Sequence, residues 1–206
     1  METVDSSLLS FIFSRFPRGA VFFAEDLEDS GFPPDVIRWS LSRIVTTQMG
    51  VVRLARGVYC TPLQGAGGSP GKLLMPSVET VAEALARRWR VRIAPCGAQA
   101  AYLAGFTDSQ GDRNTWVSDG SGQIFHLQNG VTIRFVRRLS LKIFQFRSFR
   151  MRNLVEGMRH LGKDKIHTKG RGIIADNLLY VQDDEFLHDI RLAPSWIREM
   201  LKEIRH

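Results

Sequence analysis

Residues 33–62 read PPDVIRWSLSRIVTTQMGVVRLARGVYCTP. Pro34 stands at a first-turn position, where a helix needs no amide hydrogen. At a helical period, Ile37, Leu41, Ile44, Val45 and Gln48 share one face. Asp35, Trp39, Arg43 and Thr46 share the opposite face, with Ser42 beside them. The spacing predicts a helix over 34–48 that buries aliphatic side chains on one side and presents Trp, Arg and Thr on the other. Gly50 breaks it. Val51–Arg53 and Gly57–Tyr59 then read as β segments around a turn at Leu54-Ala55-Arg56, and Pro62 closes the ribbon.

Toward the N-terminus, Leu8, Leu9, Ile12, Phe13 and Phe16 recur at three- and four-residue intervals and predict a first helix over 5–16. Asp5 or Ser6 is the expected N-cap, and Pro17 the stop. A short extended piece is expected at Ala20–Phe23, then about two helical turns around Leu27, ended by Gly31. Three helical segments followed by a β ribbon make the outline of a winged helix-turn-helix over 1–62. In that fold the third helix enters the major groove, where Arg and Thr meet base edges. Arg38, Ser42, Arg43 and Thr46 are the expected base or phosphate contacts, and Arg53 and Arg56 near the ribbon tip the expected phosphate or minor-groove contacts.

Toward the C-terminus, residues 63–76 (LQGAGGSPGKLLMP) are rich in Gly and Pro and read as a linker. Residues 77–206 read as a larger α+β domain. Ser77 caps a helix with Val78, Val81, Ala82, Leu85, Ala86 and Trp89 on one face. A strand at Val91–Ala94 leads to a small-residue helix at Gly97–Gly105. Strands at Thr115–Ser118 and Gln123–Leu127 are expected to join through Asp119–Gly122, and Asn129-Gly130 to turn a hairpin into Val131–Arg137. A helix follows through Met151, Leu154, Val155, Met158 and Leu161 to Gly162, and two more over Asp183–Ile190 and Pro194–Ile204 finish the chain. The fold class expected is α+β: an N-terminal winged helix, then a small antiparallel sheet with C-terminal helices.

The 206 residues carry a formal charge of +7, which favours polyanionic partners. The charge is unevenly spread. Residues 1–62 hold six Arg against seven Asp and Glu, whereas 134–171 hold twelve Lys and Arg against Glu156 and Asp164. That second stretch also interleaves Phe135, Phe144, Phe146 and Phe149, a mixture suited to nucleic acid. If the aromatics face a core, Arg137, Arg138, Lys142, Arg147, Arg150 and Arg152 form an exposed basic face for DNA, RNA or an acidic protein.

Patterns for other chemistry fail. GAGGSPGK has Ala66 and Leu73 where a phosphate loop needs Gly and Ser/Thr, and GRGIIA at 170–175 does not follow a strand. The five histidines have no ligand spacing, and Asp183-Asp184-Glu185 suits a helix start. Cys60 and Cys96 are expected as reduced thiols in a cytosolic protein, the N-terminus lacks a secretory pattern, and no apolar run is long enough for a membrane span. No catalytic, cofactor or metal residue is expected.

The stretch Trp39–Pro62, with its short helix, glycine, basic strand and Arg-Gly-aliphatic-Tyr block, resembles the N-terminal winged helix of the AbiEi-type antitoxins of bacterial type IV toxin–antitoxin systems. A looser match runs through GAQAAYLAGFTD (97–108) to Phe135. The resemblance implies a non-enzymatic transcriptional repressor that binds double-stranded operator DNA, as a monomer or homodimer, and autoregulates its operon. It also implies a second domain that counters a nucleotidyltransferase-like toxin, with no need of a stable complex. A non-enzymatic protein- or RNA-interaction module is the alternative that the residues leave open.

Overall fold

The computed structural model describes residues 2–64, 73–108, 114–166 and 168–205. Its architecture is mixed α+β, and the chain folds as two compact units: 1–89 with 125–133, and 90–124 with 134–206.

In the first unit, α1 (Glu2–Arg15) is followed by β1 (Val21–Phe23), a 3-10 segment (Ala24–Ser30) and α2 (Pro34–Thr46). Next come β2 (Val52–Ala55) and β3 (Val58–Cys60). Leu8 and Ile12 of α1 pack with Phe22, Leu27, Ile37, Leu41, Ile44 and Val51 in one buried core. Helix α1 begins before the expected cap, so Asp5 lies within the helix rather than at its start. The segment at 24–30 winds as a 3-10 helix; the Asp26 carboxylate accepts the Phe23 amide at its start, and Gly31 ends it at φ 80°. Helix α2 buries Ile37, Leu41 and Ile44 as its spacing predicts, and also Ser40. It stops at Thr46, because Gln48 and Gly50 both adopt positive φ, and Gln48 is exposed.

Strand β3 is central in a sheet of order β1-β3-β2, antiparallel on both sides. β2 runs two residues further than its spacing predicts. The turn is Arg56-Gly57, with Gly57 at φ 76° and a register shift between Arg53 and Ala55. Beyond it, β4 (Leu63–Gln64) pairs antiparallel with β5 (Leu73–Leu74), so the ends of the expected linker form a ribbon. The middle of that linker, the GAGGSPGK motif at 65–72, lies outside the described residues. Ser77 caps α3 (Val78–Arg88) as expected, accepting the Thr80 amide. This helix belongs to the first unit: Arg88 lies 3.6 Å from Glu25 and covers the Phe23 ring. The unit boundary therefore falls at Trp89, beyond the linker that composition suggests.

The second unit opens with β6 (Ile93–Pro95) and α4 (Gly97–Leu103), followed by β7 (Thr115–Ser118). β8 (Gln123–His126) and β9 (Thr132–Arg137) flank the Asn129-Gly130 turn; residues 125–133 around it belong to the first unit, and Gly130 has φ 83° as its sequence predicts. The sheet order is β6-β7-β9-β8, and β7 pairs with β9 in parallel. β7 and β8 are joined through Asp119–Gly122 as expected, and the sheet order places β9 between them. Asp119 also closes the antiparallel β6–β7 pair, its two carboxylate oxygens accepting the Arg92 amide and Nε, each at 2.7 Å.

Helices α5 (Phe149–Leu161), α6 (Thr168–Leu178), α7 (Asp183–Asp189) and α8 (Ser195–Arg205) complete this unit. Met151, Leu154, Val155 and Met158 of α5 meet Ile174, Leu178, Phe186, Ile197 and Leu201 in its core. The sequence pattern does not predict α6, since Gly170 and Gly172 weaken its helical signal; His167, just before it, lies outside the described residues. The buried Asp189 accepts the Arg147 and Ser148 amides, both at 2.8 Å, and so satisfies donors at the start of α5.

Helices α4 and α5 approach so closely that a Cβ on Gly157 would lie 2.9 Å from the Ala101 Cα. Gly157→Ala should therefore lower the unfolding free energy by about 1–3 kcal/mol. Gly172, on α6, has open space at the same position. Gly172→Ala should raise stability by about 0.5–1 kcal/mol. Urea denaturation of the two variants checks the opposite signs.

Candidate nucleic-acid interface

The sequence-predicted residues of the first unit separate into exposed and engaged groups. On α2, Arg38, Trp39, Ser42 and Thr46 are exposed, and Trp39 retains 70% of its accessible surface. The Thr46 hydroxyl donates to the Ser42 carbonyl at 2.8 Å, which leaves its oxygen able to accept. Arg43 is different. Its Nη2 lies 2.7 Å from Asp5 Oδ1 on α1, so its guanidinium ties two helices of the core together. It is therefore set apart from the exposed candidates of its own helix. The stripe that spacing alone predicts ignores α1, because a helical wheel carries no tertiary partner.

On the ribbon, Arg53 is half-buried and donates from Nε to the Ala55 carbonyl at 3.2 Å, across the bulge. Arg56 is exposed at the turn and lines a cleft with Glu25 and Arg88. Of the contacts expected in the first unit, the exposed ones are thus Arg38, Ser42, Thr46 and Arg56. This set contains two cations, and its chemistry is hydrogen bonding at short range more than bulk attraction of an anion.

In the second unit, Phe135 is buried, Phe144 and Phe146 are half-buried, and only Phe149 of the four interleaved aromatics is exposed. Of these rings only Phe135 lies in a strand, where alternation turns it inward, while Phe144 and Phe146 follow in the 3-10 turn and loop beyond β9. Arg137 and Lys142 are exposed, as is Arg147. Arg150 is exposed with its guanidinium 4.6 Å from the Tyr180 ring centre, and Arg152 lies 4.7 Å from that of Phe149. These cation–π contacts fix two of the cations against rings rather than leaving them mobile. Burial lowers the pKa of Arg152, and the Glu156 charge opposes that shift. Arg138 belongs to another group. Its Nη1 lies 2.5 Å from Glu156 Oε2, while Arg159 Nη1 lies 3.3 Å from Oε1. Glu156 is 2% exposed, and it organises two cations that the charge count treats as independent. The i, i+3 spacing of Glu156 and Arg159 is the one local signal of this arrangement.

Cys60 and Cys96 are buried and not disulfide-bonded, and burial pushes the Cys60 thiol up to about 11, which keeps it protonated and unreactive. Among the described residues, no three His, Cys, Asp or Glu side chains converge to hold a metal. Among them too, no helix is long and apolar enough to cross a membrane.

The sequence matches the model of a family of unknown function, DUF6088, over residues 10–185, and the chain belongs to that family. The matched span takes in parts of both units. No curated protein matches the chain.

The hydrogen bond from Arg43 holds the Asp5 carboxyl below its ordinary value of 3.8. A depressed folded pKa stabilises the fold above the unfolded value, and that contribution is lost as pH falls through the folded value. Asp5→Asn should therefore lower the urea midpoint at neutral pH, with the gap from wild type closing in acid. A gap that stays constant down to the most acid pH at which the chain folds would show that the ion pair contributes nothing.

Proposed function

We propose that this member of a family of unknown function is a DNA-binding transcriptional repressor, with its first unit acting as a winged helix-turn-helix. In this reading α2 is the recognition helix and the β2–β3 ribbon is the wing. The observation that carries the reading is the division of α2 into two faces. Ile37, Leu41 and Ile44 are buried, while Arg38, Trp39, Ser42 and Thr46 are exposed together, and Arg56 is exposed at the tip of the ribbon that follows. Arg38, Ser42 and Thr46 read base edges or position the helix on phosphates, and Arg56 contacts phosphate. Arg43 contributes indirectly, by fixing α2 against α1 through Asp5.

The resemblance to AbiEi-type antitoxins extends the proposal. The chain autoregulates its operon and counters a nucleotidyltransferase-like toxin encoded beside it. The second unit supplies much of the phosphate attraction, through Arg137, Lys142, Arg147 and Arg150, all exposed. The second reading is a protein- or RNA-interaction module. Trp39 favours it, because a largely exposed tryptophan in the middle of a helix face suits the centre of a protein interface.

A titration of the full chain with its own upstream DNA, against scrambled DNA of equal length, separates the two readings. Specific repression requires tighter binding to the upstream sequence, with affinity falling steeply as salt rises. Arg56→Ala should weaken binding to both DNAs alike and reduce the salt slope by about 1. Arg38→Ala should cost about 1–3 kcal/mol on the upstream DNA and narrow its preference over the scrambled one. Equal affinity for the two DNAs in the wild-type protein refutes sequence-specific repression. Failure of the chain to restore growth when co-expressed with the adjacent toxin refutes the antitoxin role.

A further inference from the structure

The second unit contains a concave cluster of charges from which the DNA-binding reading draws only Lys142. A pocket of about 300 Å³ is lined by Arg138, Ser140, Lys142, Glu156, Arg159 and His160. Both Glu156 oxygens are occupied by arginine: Oε2 by Arg138 and Oε1 by Arg159. One guanidinium is enough to neutralise one buried carboxylate. Here two guanidiniums meet it and Lys142 stands beside them, so the pocket carries an excess of two positive charges before His160 is counted.

Each of these ion pairs engages one terminal nitrogen of its guanidinium. Arginine has five N–H donors in a fixed fork, a geometry that matches phosphate oxygens. Glu156 is 2% exposed, whereas Arg138 and Arg159 keep 37% and 49% of their side-chain surface. The carboxylate is thus the buried anchor, and the cations are the accessible surface. Holding the two forks on one anchor lowers the entropy lost when a ligand orders them.

The remaining lining has a different character. Ile143, Phe146 and Leu192 give the pocket an apolar wall opposite in chemistry to its cations. A volume near 300 Å³ lies at the small end of ligand sites, too small for a length of duplex and suited to a single charged group with a modest organic part. The combination points away from a simple inorganic anion and toward an organic phosphate.

We propose that this pocket binds a phosphate monoester carried on a nucleoside, either as a free nucleotide or as the 5′ end of a nucleic-acid strand. Arg138, Lys142 and Arg159 receive the phosphate, and Ser140 and His160 supply further hydrogen bonds. Phe146 and Leu192 lie against the nucleoside. Glu156 is a positioning residue that acts through the two arginines. The site stands independently of the first unit's role in DNA binding, since every residue in it belongs to the second unit.

Isothermal titration of the full chain at constant ionic strength tests it, with AMP, inorganic phosphate, adenosine, and a trinucleotide bearing either a 5′-phosphate or a 5′-hydroxyl. AMP or the 5′-phosphorylated trinucleotide should bind saturably at one site, while adenosine and the 5′-hydroxyl trinucleotide should not. Tighter binding of AMP identifies a free nucleotide as the source of the phosphate, and tighter binding of the phosphorylated strand identifies a nucleic-acid end; either supports the site. Lys142 is exposed, so Lys142→Ala should preserve the fold and weaken the phosphate-bearing ligand by about tenfold. Arg159→Gln should do the same, whereas Arg171→Ala, which breaks an ion pair with Glu203 away from the pocket, should leave binding unchanged. The proposal is overturned if no phosphate-bearing probe binds saturably, if inorganic phosphate binds as tightly as either nucleoside-bearing probe, or if Lys142→Ala and Arg159→Gln bind as tightly as wild type.

Discussion

Glu156 places a carboxylate, 2% exposed, in the middle of the most basic stretch of the chain. Much of the second unit's surface chemistry follows from that one buried charge. A carboxylate withdrawn from water must be paired, because its hydration is otherwise lost without compensation. Arg138 and Arg159 provide the pairing, and in doing so they are drawn together from two parts of the sequence. The same helix makes the close approach to α4 through Gly157, immediately after Glu156. Position of the backbone and position of the charge are therefore set by adjacent residues of α5.

The first unit uses the same device on a smaller scale. Asp5 and Arg43 join α1 to α2, and Arg15 reaches Asp29 while Arg88 reaches Glu25. Formal charge counts such cations as available for a partner; the folded chain has already given them one. The pairing matters most for Arg43, which a helical wheel places beside Trp39 and Thr46 on the face expected to read bases. Its engagement with Asp5 moves the exposed face of α2 toward Arg38, Ser42 and Thr46, residues that the same wheel also places there.

Local rules make a large part of the fold legible in the sequence. Ser77 before α3, Ser148 before α5, Gly31 and Gly162 at helix ends and Asn129-Gly130 in the hairpin are positions where backbone chemistry restricts the choice of residue. Their signals are contained within a few residues. The parts that are not legible depend on partners distant in sequence. The parallel pairing of β7 with β9 accompanies the capture of Asp119 by Arg92, and α6 owes its helix to burial of Ile174 and Leu178 in spite of Gly170 and Gly172. The site is legible to the same degree: exposure of Arg38, Ser42, Thr46 and Arg56 agrees with the pattern, while the roles of Glu156 and Asp5 emerge only from tertiary structure.

These pairings also bear on how the proposed DNA binding divides its work. Coulomb attraction between exposed charges is screened beyond roughly 10 Å at moderate salt, so the net charge near a surface matters more than the total for the chain. Residues 1–62 sum to −1, and Arg15 and Arg43 among their arginines are already matched with acids. Such a stretch has little field with which to draw in a polyanion, but the hydroxyls of Ser42 and Thr46 and the exposed Arg38 and Arg56 are suited to short, directional hydrogen bonds. The 134–171 stretch keeps a strong positive excess after Glu156 and Asp164 are subtracted. In the proposed reading, long-range attraction and sequence discrimination thus have separate locations in the chain. A repressor built this way gains encounter rate from one set of residues and choice of site from another, and neither set needs to be optimised at the expense of the other.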